Sequence, residues 1–267
     1  MKRAFFFLYG VACHLLFLAV YVYLAAFIGN LYMPKSIDSA PAGPVGPAVA
    51  VNLLLLGLFA AQHSIMARPA FKRVWTRIVP EPIERSTYVL ASCLVTCLVA
   101  WQWRTIDAVV WDVETPVLRM ALWTLFAAGW LIVPGVTLLI DHFDLFGTRQ
   151  VWLHLKEREY TSLPFRTPLV YKHVRHPLYV GWTILFWATP TMTVGHLLFA
   201  VVLTSYMVLA VFAEERDLVD HFGREYEEYR RLVPKFFPRL RIGATASTTL
   251  RESQPVPQRE ESEVCHV

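Results

Sequence analysis

Residues 176–213 read HPLYVGWTILFWATPTMTVGHLLFAVVLTSYMVLAVFA, which is 38 positions without an Asp, Glu, Lys or Arg. At about 1.5 Å per residue, a single helix of this length would far exceed the roughly 30 Å hydrocarbon core of a bilayer. Proline and glycine interrupt the run within residues 189–195, where they favour a turn over a continuous helix. The stretch therefore predicts a helical hairpin within the membrane, made of one short helix and one fuller helix.

Four further uncharged runs each have the length of one membrane crossing. They cover residues 4–34, 39–67, 86–103 and 120–140. The composition agrees, since 55% of the residues are hydrophobic and only 17% are charged, against about 25% charged in soluble domains. We therefore predict an all-α integral membrane protein with about six transmembrane helices, the last two forming the hairpin. A soluble nucleotide-binding fold, a secreted disulfide scaffold and a disordered regulator are poor fits to this pattern.

The positive charges alternate along the chain as a membrane topology requires. Segments 1–3, 67–85, 141–175 and 214–267 hold 2, 5, 6 and 9 Lys and Arg residues. The intervening connections hold only Lys35, Arg104 and Arg119. Because cytoplasmic loops carry the excess of Lys and Arg, both termini are predicted to be cytoplasmic. Topology thus explains the net charge of +4, and no nucleic-acid partner is expected.

The remaining composition bounds the domain organisation and excludes common metal sites. We expect residues 1–242 to form a single transmembrane domain and residues 243–267, which have too few apolar residues for a packed core, to be a disordered cytoplasmic tail. Three of the four cysteines lie in apolar runs and form no CxxC pair. No spacing of His, Cys, Asp or Glu fixes a ligand geometry, so no metal is expected.

Charged and polar residues concentrate at the two ends of the predicted hairpin, in YKHVRHPLYVG (171–181), EERD (214–217) and HFGREY (221–226). Pro177 suits the first turn of a helix, which puts His176 at the helix N-terminus. Glu214 and Glu215 lie at the opposite helix end, where the helix dipole and their mutual repulsion disfavour them. A nearby cation would relieve this, either an arginine of the chain that anchors the hairpin or a bound cationic ligand.

These motifs, with their order and spacing, resemble the membrane methyltransferase superfamily that includes isoprenylcysteine carboxyl methyltransferases and phospholipid methyltransferases. The resemblance implies that S-adenosylmethionine is the cofactor and that about 141–238 is the cofactor half. It also implies that His176 and Tyr179 contact the cofactor, while Glu214 and Glu215 meet its amino or ribose groups.

Three more motifs extend the resemblance to about residues 1–240: QHSIMARPAFK (62–72), PIERSTYV (82–89) and DHFDLFGTRQ (141–150). Together with the hairpin motif they are similar to methanethiol S-methyltransferases, bacterial relatives of NnrU-like membrane proteins that make dimethyl sulfide from methanethiol and S-adenosylmethionine. The resemblance implies S-methylation of a small-molecule thiol at the cytoplasmic side of a bacterial inner membrane. A small closed pocket that excludes larger thiols is expected for such a substrate.

Polar residues at a membrane boundary are costly and often functional. Our hypothesis is that Asp144 or His63 accepts the thiol proton and that Arg85 orients the thiolate or stabilises its charge. Taken alone, His63 and Asp144 are equally well explained as interfacial anchors or as partners in helix-end hydrogen bonds. Haem ligation by His14 and His63 is disfavoured because they are predicted at different depths or ends of their spans. The alternative functions are methylation of a prenylcysteine or a phospholipid headgroup, and a non-enzymatic NnrU-like role. The sequence carries no signal for an oligomeric state.

Overall fold

The fold is a bundle of long helices with short helices at one end. The computed structural model describes residues 1–40 and 43–238. Its helices and strands are α1 (Lys2–Ile28), α2 (Val45–Ala67), α3 (Pro69–Trp75), α4 (Glu81–Gln102), β1 (Val109–Asp112), α5 (Pro116–Ile140), α6 (His142–Leu145), α7 (Thr148–Leu155), a 3-10 turn (Leu169–Lys172), α8 (Pro177–Trp187), β2 (Thr191–Thr193), α9 (Val194–Phe222) and α10 (Arg224–Leu232). The predicted tail at 243–267 lies outside the described residues.

Five helices are long and apolar enough to cross a membrane, namely α1, α2, α4, α5 and α9. The predicted hairpin is present: α8 has 11 residues and α9 has 29. At about 1.5 Å per residue α8 spans roughly half of a bilayer core. Large apolar side chains such as Leu54, Leu131 and Leu209 are about 70% exposed or more, as lipid-facing residues are. The all-α membrane fold is thus confirmed, while the sixth crossing and the side of the termini stay predictions.

The tip of the hairpin is a strand, a feature that the sequence analysis did not anticipate. β2 pairs antiparallel with β1, with Trp111 opposite Met192 and Asp112 opposite Thr191. The Trp111 indole also donates a hydrogen bond to the Thr189 carbonyl over 3.2 Å. This pairing supplies partners to backbone groups that the helix break leaves unpaired. It also joins the α4–α5 connection to the end of the hairpin.

The short helix α8 packs closely against α5 because glycines face each other across the contact. A Cβ at Gly129 would lie 2.9 Å from the Leu185 Cβ, and one at Gly181 would lie 2.9 Å from the Ile132 Cγ2. Small residues allow such close helix packing in membranes, where dispersion contacts drive association. The contact holds the first turn of α8 at a fixed position beside α5.

A proline inside α5 creates the bond that fastens α1 to it. Pro134 has no N–H, so the carbonyl of Trp130 lacks its usual helical donor. The Tyr21 hydroxyl donates to that carbonyl over 2.7 Å. An acceptor left unpaired in an apolar interior costs free energy, so this bond stabilises the bundle.

Polar contacts at the two ends of the bundle agree with the charge pattern. At one end Arg68 of the α2–α3 junction pairs with Asp217 of α9 over 2.7 Å. At the other end the Asn52 amide donates to the Arg104 carbonyl over 2.6 Å, and Thr193 donates to Asp38. Segments that the charge rule assigns to one side therefore lie at one end of the molecule.

Candidate active site

The two ends of the hairpin are joined by a buried ion pair. The Arg175 guanidinium donates to Oε1 of Glu215 from Nε over 2.9 Å and from Nη2 over 2.7 Å, and both side chains are 6% exposed. His176 Nε2 lies 3.1 Å from the same oxygen, and Lys235 Nζ lies 3.6 Å from Oε2. Arg175 thus supplies the cation that the acidic cluster requires. Glu215 meets protein donors at both oxygens.

Arg175 also fixes the segment that follows α10. Its Nη1 donates to the carbonyls of Arg230 and Val233, and its backbone N–H donates to the Pro234 carbonyl over 2.9 Å. The backbone N–H of His176 donates to the Lys235 carbonyl over 3.0 Å. The start of α8, the end of α9 and the chain after α10 are therefore held together around one buried charge pair.

In contrast, Glu214 faces an open space. Its side chain is 41% exposed, and its Oε2 accepts a hydrogen bond from the Tyr179 hydroxyl over 2.7 Å. The ring of Tyr179 stacks on the ring of His176 with centroids 5.5 Å apart. Tyr179 lies in the first turn of α8 and Glu214 lies about two turns before the end of α9, so the hairpin geometry brings them together.

His176, Tyr179 and Glu214 line a cavity of about 410 Å³ at this end of the bundle. Its wall also includes Asp141, Asp144, Phe165, Arg166, Phe222 and Tyr229. Burial in the protein raises the pKa values of the tyrosines around this cavity. Burial, reinforced by the Glu214 carboxylate, raises the pKa of Tyr171, and burial raises the pKa of Tyr229 to about 12. Both phenols therefore stay protonated at neutral pH, and the Tyr229 hydroxyl donates to the Tyr171 carbonyl over 2.6 Å.

Asp144 lines the same cavity, but its carboxylate is already engaged. Oδ1 accepts from Arg149 over 2.9 Å and from the Gln150 amide over 3.2 Å. Oδ2 accepts from the Tyr160 hydroxyl over 3.2 Å. Burial, together with the charge of Asp144, raises the pKa of Tyr160. Asp144 thus fixes the loop that closes one side of the cavity.

His63 lines a second cavity, of about 260 Å³, between α1, α2, α4, α8 and α9. The Tyr88 hydroxyl lies 3.1 Å from both ring nitrogens of His63, and Phe59 stacks on the ring with centroids 5.3 Å apart. Nearby, the hydroxyls of Ser64 and Tyr206 are 2.9 Å apart. Most of the remaining wall is aromatic or aliphatic. The two cavities share Leu178 and Tyr179 as lining residues.

Arg85 is half-buried and, within the part of the chain that the structure describes, contributes to the wall of neither cavity. It acts on its neighbours through its charge: burial lowers the pKa of Lys72, and the Arg85 guanidinium lowers it further. The structure therefore brings His176, Tyr179, Glu214 and Asp144 to one cavity and His63 to the adjoining one. Arg85 lies beside them, and Glu215 lies behind His176.

Sequence reasoning did not name Arg149, Tyr160 or Tyr206 as site residues. Arg149 is in the DHFDLFGTRQ motif five residues after Asp144, a local spacing that points to the pair. Tyr160 and Tyr206 have no such signal, because Tyr160 lies in an irregular loop and Tyr206 lies within the uncharged run that the sequence shows at 176–213. Only the tertiary structure identifies them.

Comparisons with known proteins agree with this architecture. A family model described as NnrU protein matches residues 52–235. The methanethiol S-methyltransferase of Crocosphaera subtropica is 52% identical over 238 residues, which cover 89% of this chain and 93% of that protein. The methanethiol S-methyltransferase of Mycobacterium tuberculosis is 50% identical over 238 residues, covering 89% of this chain and 98% of that protein.

A more distant relative is the Nurim homolog of Drosophila pseudoobscura pseudoobscura, 32% identical over 181 residues that cover 65% of this chain and 70% of that protein. No solved structure matches the chain. The match to the family model covers most of the chain and contains the polar ends of α2, α4, α8 and α9 that form both cavities. The chain therefore belongs to the NnrU family, as its motifs indicated.

Proposed function

We propose that this chain is an S-adenosylmethionine-dependent thiol S-methyltransferase that converts methanethiol to dimethyl sulfide at the cytoplasmic side of a bacterial inner membrane. Relatives about 50% identical over nearly their whole length are named methanethiol S-methyltransferase. The observation that carries the proposal is the meeting of a polar cavity and an apolar cavity at Leu178 and Tyr179. A charged methyl donor and an apolar acceptor need such adjoining sites.

The residues of the polar cavity fit S-adenosylmethionine. Its volume of about 410 Å³ lies within the usual range of small-molecule sites, roughly 300 to 1,000 Å³. Glu214 would meet the ammonium group or the ribose hydroxyls through its carboxylate, which faces the cavity. Phe165 and Phe222 offer aromatic faces for adenine, and the exposed Arg166 offers a guanidinium for the carboxylate. When bound, the cofactor supplies an electrophilic methyl group on a sulfonium.

The acceptor would bind at the polar end of the apolar cavity. A cysteine-like thiol has a pKa of about 8.5, so only a few per cent of it is thiolate at pH 7. The Tyr88 hydroxyl can bond one nitrogen of His63 and leave the other to accept the thiol proton. Between the two candidate bases we therefore choose His63, because the oxygens of Asp144 already accept three hydrogen bonds.

The other predicted residues take supporting roles in this proposal. Asp144 positions the wall of the cofactor cavity, and Glu215 positions His176 through the pair with Arg175. Arg85 is assigned no contact with the thiol and favours the thiolate only through its positive charge. Leu178 and Tyr179 form the boundary across which the methyl group passes.

The experiment supplies purified protein in detergent with methyl-labelled S-adenosylmethionine and methanethiol, then measures labelled dimethyl sulfide in the headspace. We expect product from the parent, a fall of roughly 100-fold or more for His63→Gln, as loss of a general base gives, and weaker cofactor binding for Glu214→Gln. Glu225→Gln, at an exposed position on α10, is the matched control and should match the parent.

Two results would contradict the proposal. Cofactor binding without dimethyl sulfide would favour a prenylcysteine or phospholipid acceptor. Absence of both binding and product in folded protein would favour the non-enzymatic alternative. Normal turnover by His63→Gln would remove the proposed proton acceptor but leave the reaction itself in place.

A further inference from the structure

The apolar cavity beside His63 is elongated along the axis of the bundle. Its wall on α4 runs from Tyr88 to Ala100, and the twelve steps between these residues span about 18 Å of helix at 1.5 Å per residue. Its wall on α1 runs from Phe17 to Phe27, about 15 Å by the same rise. The cavity therefore extends from the cytoplasmic end of the bundle toward the opposite end, beyond the small closed pocket expected from the sequence.

The two ends of the cavity differ in chemistry. His63 and the hydroxyls of Tyr88 and Tyr206 lie at the end next to the cofactor cavity. The opposite end is lined by Phe27, Val99, Ala100, Phe186 and Phe199. Between these ends the Thr96 hydroxyl is already bonded to the Ser92 carbonyl over 2.8 Å. The space thus suits a molecule with one polar end and an apolar tail.

The volume is far larger than methanethiol needs. A cavity of about 260 Å³ far exceeds the roughly 10 to 15 Å³ that one water needs by the same measure, whereas methanethiol has only two heavy atoms. That volume is spread along about 18 Å of helix. The cavity is therefore elongated, and its long axis favours one extended, unbranched chain over a compact branched or ring-shaped group.

We propose that the chain also methylates unbranched alkanethiols of about four to eight carbons, an inference that rests on the proposed function above. The thiol lies at the His63 end and the alkyl tail extends toward Ala100. The thiolate sulfur forms a bond to the methyl carbon while the bond from that carbon to the donor sulfonium breaks. The electron pair of the broken bond goes to the donor sulfur, and the thiol proton goes to His63, giving an alkyl methyl sulfide.

The test uses the full chain in detergent with S-adenosylmethionine and a series of thiols: methanethiol, ethanethiol, 1-butanethiol, 1-hexanethiol and 3,3-dimethyl-1-butanethiol. Each product is measured as the methyl sulfide. Burial of each added methylene should raise kcat/KM about fourfold until the cavity is full, as the transfer of one CH₂ from water predicts. The branched 3,3-dimethyl-1-butanethiol has the same carbon count as 1-hexanethiol and keeps a primary thiol, so a rate at least tenfold lower would come from the shape of its tail.

A variant at the far end of the cavity tests where the tail lies. Ala100 is 1% exposed, and Ala100→Leu would shorten the space without reaching His63. We expect kcat/KM for 1-hexanethiol to fall at least tenfold while the value for methanethiol stays within about twofold, which also shows that the variant is folded. Leu94→Phe, on the lipid-facing side of the same helix at 59% exposure, is the control and should change neither value.

The outcomes separate this inference from the proposed function. Turnover of methanethiol without turnover of any longer thiol would overturn the inference and leave the proposed function intact. Equal loss for both thiols in Ala100→Leu, or no loss for 1-hexanethiol, would overturn the assignment of the tail. Absence of product from every thiol would overturn both.

Discussion

Removal of the Glu215 carboxylate should destabilise the whole hairpin through its effect on Arg175. The two side chains are each 6% exposed, and two nitrogens of Arg175 donate to one oxygen of Glu215 over 2.9 and 2.7 Å. In Glu215→Ala the guanidinium stays buried, held by the carbonyls of Arg230 and Val233, but it has lost its counter-charge. Breaking one partner of a buried pair costs about 3 to 5 kcal/mol.

A second ion pair, which also involves α9, provides the matched control. Arg68 and Asp217 are also 2.7 Å apart, but their side chains are 31% and 36% exposed. Exposed pairs contribute about 0 to 1 kcal/mol because water and salt screen them. Asp217→Ala should therefore have little effect, and the difference between the two variants isolates the contribution of burial.

The assay is thermal unfolding of purified protein in detergent, followed by the fluorescence of its nine tryptophans. At about 2 to 4 °C per kcal/mol for a chain of this size, Glu215→Ala should lower Tm by about 6 to 20 °C and Asp217→Ala by less than about 4 °C. The double variant Arg175→Met/Glu215→Ala should recover part of the loss, because no charge is left buried. Equal shifts for Glu215→Ala and Asp217→Ala would refute the reasoning.

Three further predictions concern packing, pH and metals. Gly129→Ala should lower the free energy of unfolding by about 1 to 3 kcal/mol because the new Cβ would meet Leu185. The control is Gly135→Ala on the same helix, which has open space around it and should be neutral or stabilising. Similar Tm values for the two variants would contradict the packing argument. Burial and the neighbouring His14 lower the pKa of His142, so the unfolded chain binds more protons below about pH 6.5 and stability should fall there as the pH drops. His142→Gln should therefore reduce the fall of Tm at low pH, whereas His173→Gln, at an exposed position, should leave that fall unchanged. An unchanged pH profile of Tm in His142→Gln would count against this role of His142. Exhaustive chelation should leave methyl transfer unchanged, and a loss that added metal restores would disprove metal independence.

Much of the fold followed from the order of apolar and charged residues. The 38-residue uncharged run and its Pro and Gly interruption predicted α8 and α9, and the other four runs predicted α1, α2, α4 and α5. The sheet between β1 and β2 was not predictable, because strands of four and three residues carry little periodicity. The two strands are also remote in sequence, since the paired residues Asp112 and Thr191 are 79 positions apart. The hydrogen bond from Tyr21 to the Trp130 carbonyl was not predictable either. Pro134 indicates that this carbonyl lacks its helical donor, but nothing in the sequence indicates which side chain donates to it instead.

For the site, the motifs predicted a set of candidate residues. They did not predict which of these residues line the cofactor cavity, which line the apolar cavity and which are buried behind them. His176, Tyr179, Glu214 and Asp144 line one cavity, as their position at one end of the bundle suggested. Glu214 and Glu215 are adjacent in sequence, yet one faces the cavity and the other is held behind it. Successive residues on a helix point about 100° apart, so the orientation of α9 about its own axis decides which carboxylate meets Arg175.

The sequence by itself determined the membrane class, the hairpin and the end of the molecule where the polar residues collect. These properties depend on the transfer of side chains between water and lipid, which is set by residue type and local order. The tertiary structure alone decided the partner of Glu215, the separation of His63 from Asp144 and the length of the apolar cavity. Those properties depend on distances between helices that are remote in sequence, and close contacts such as that of Gly129 with α8 fix them.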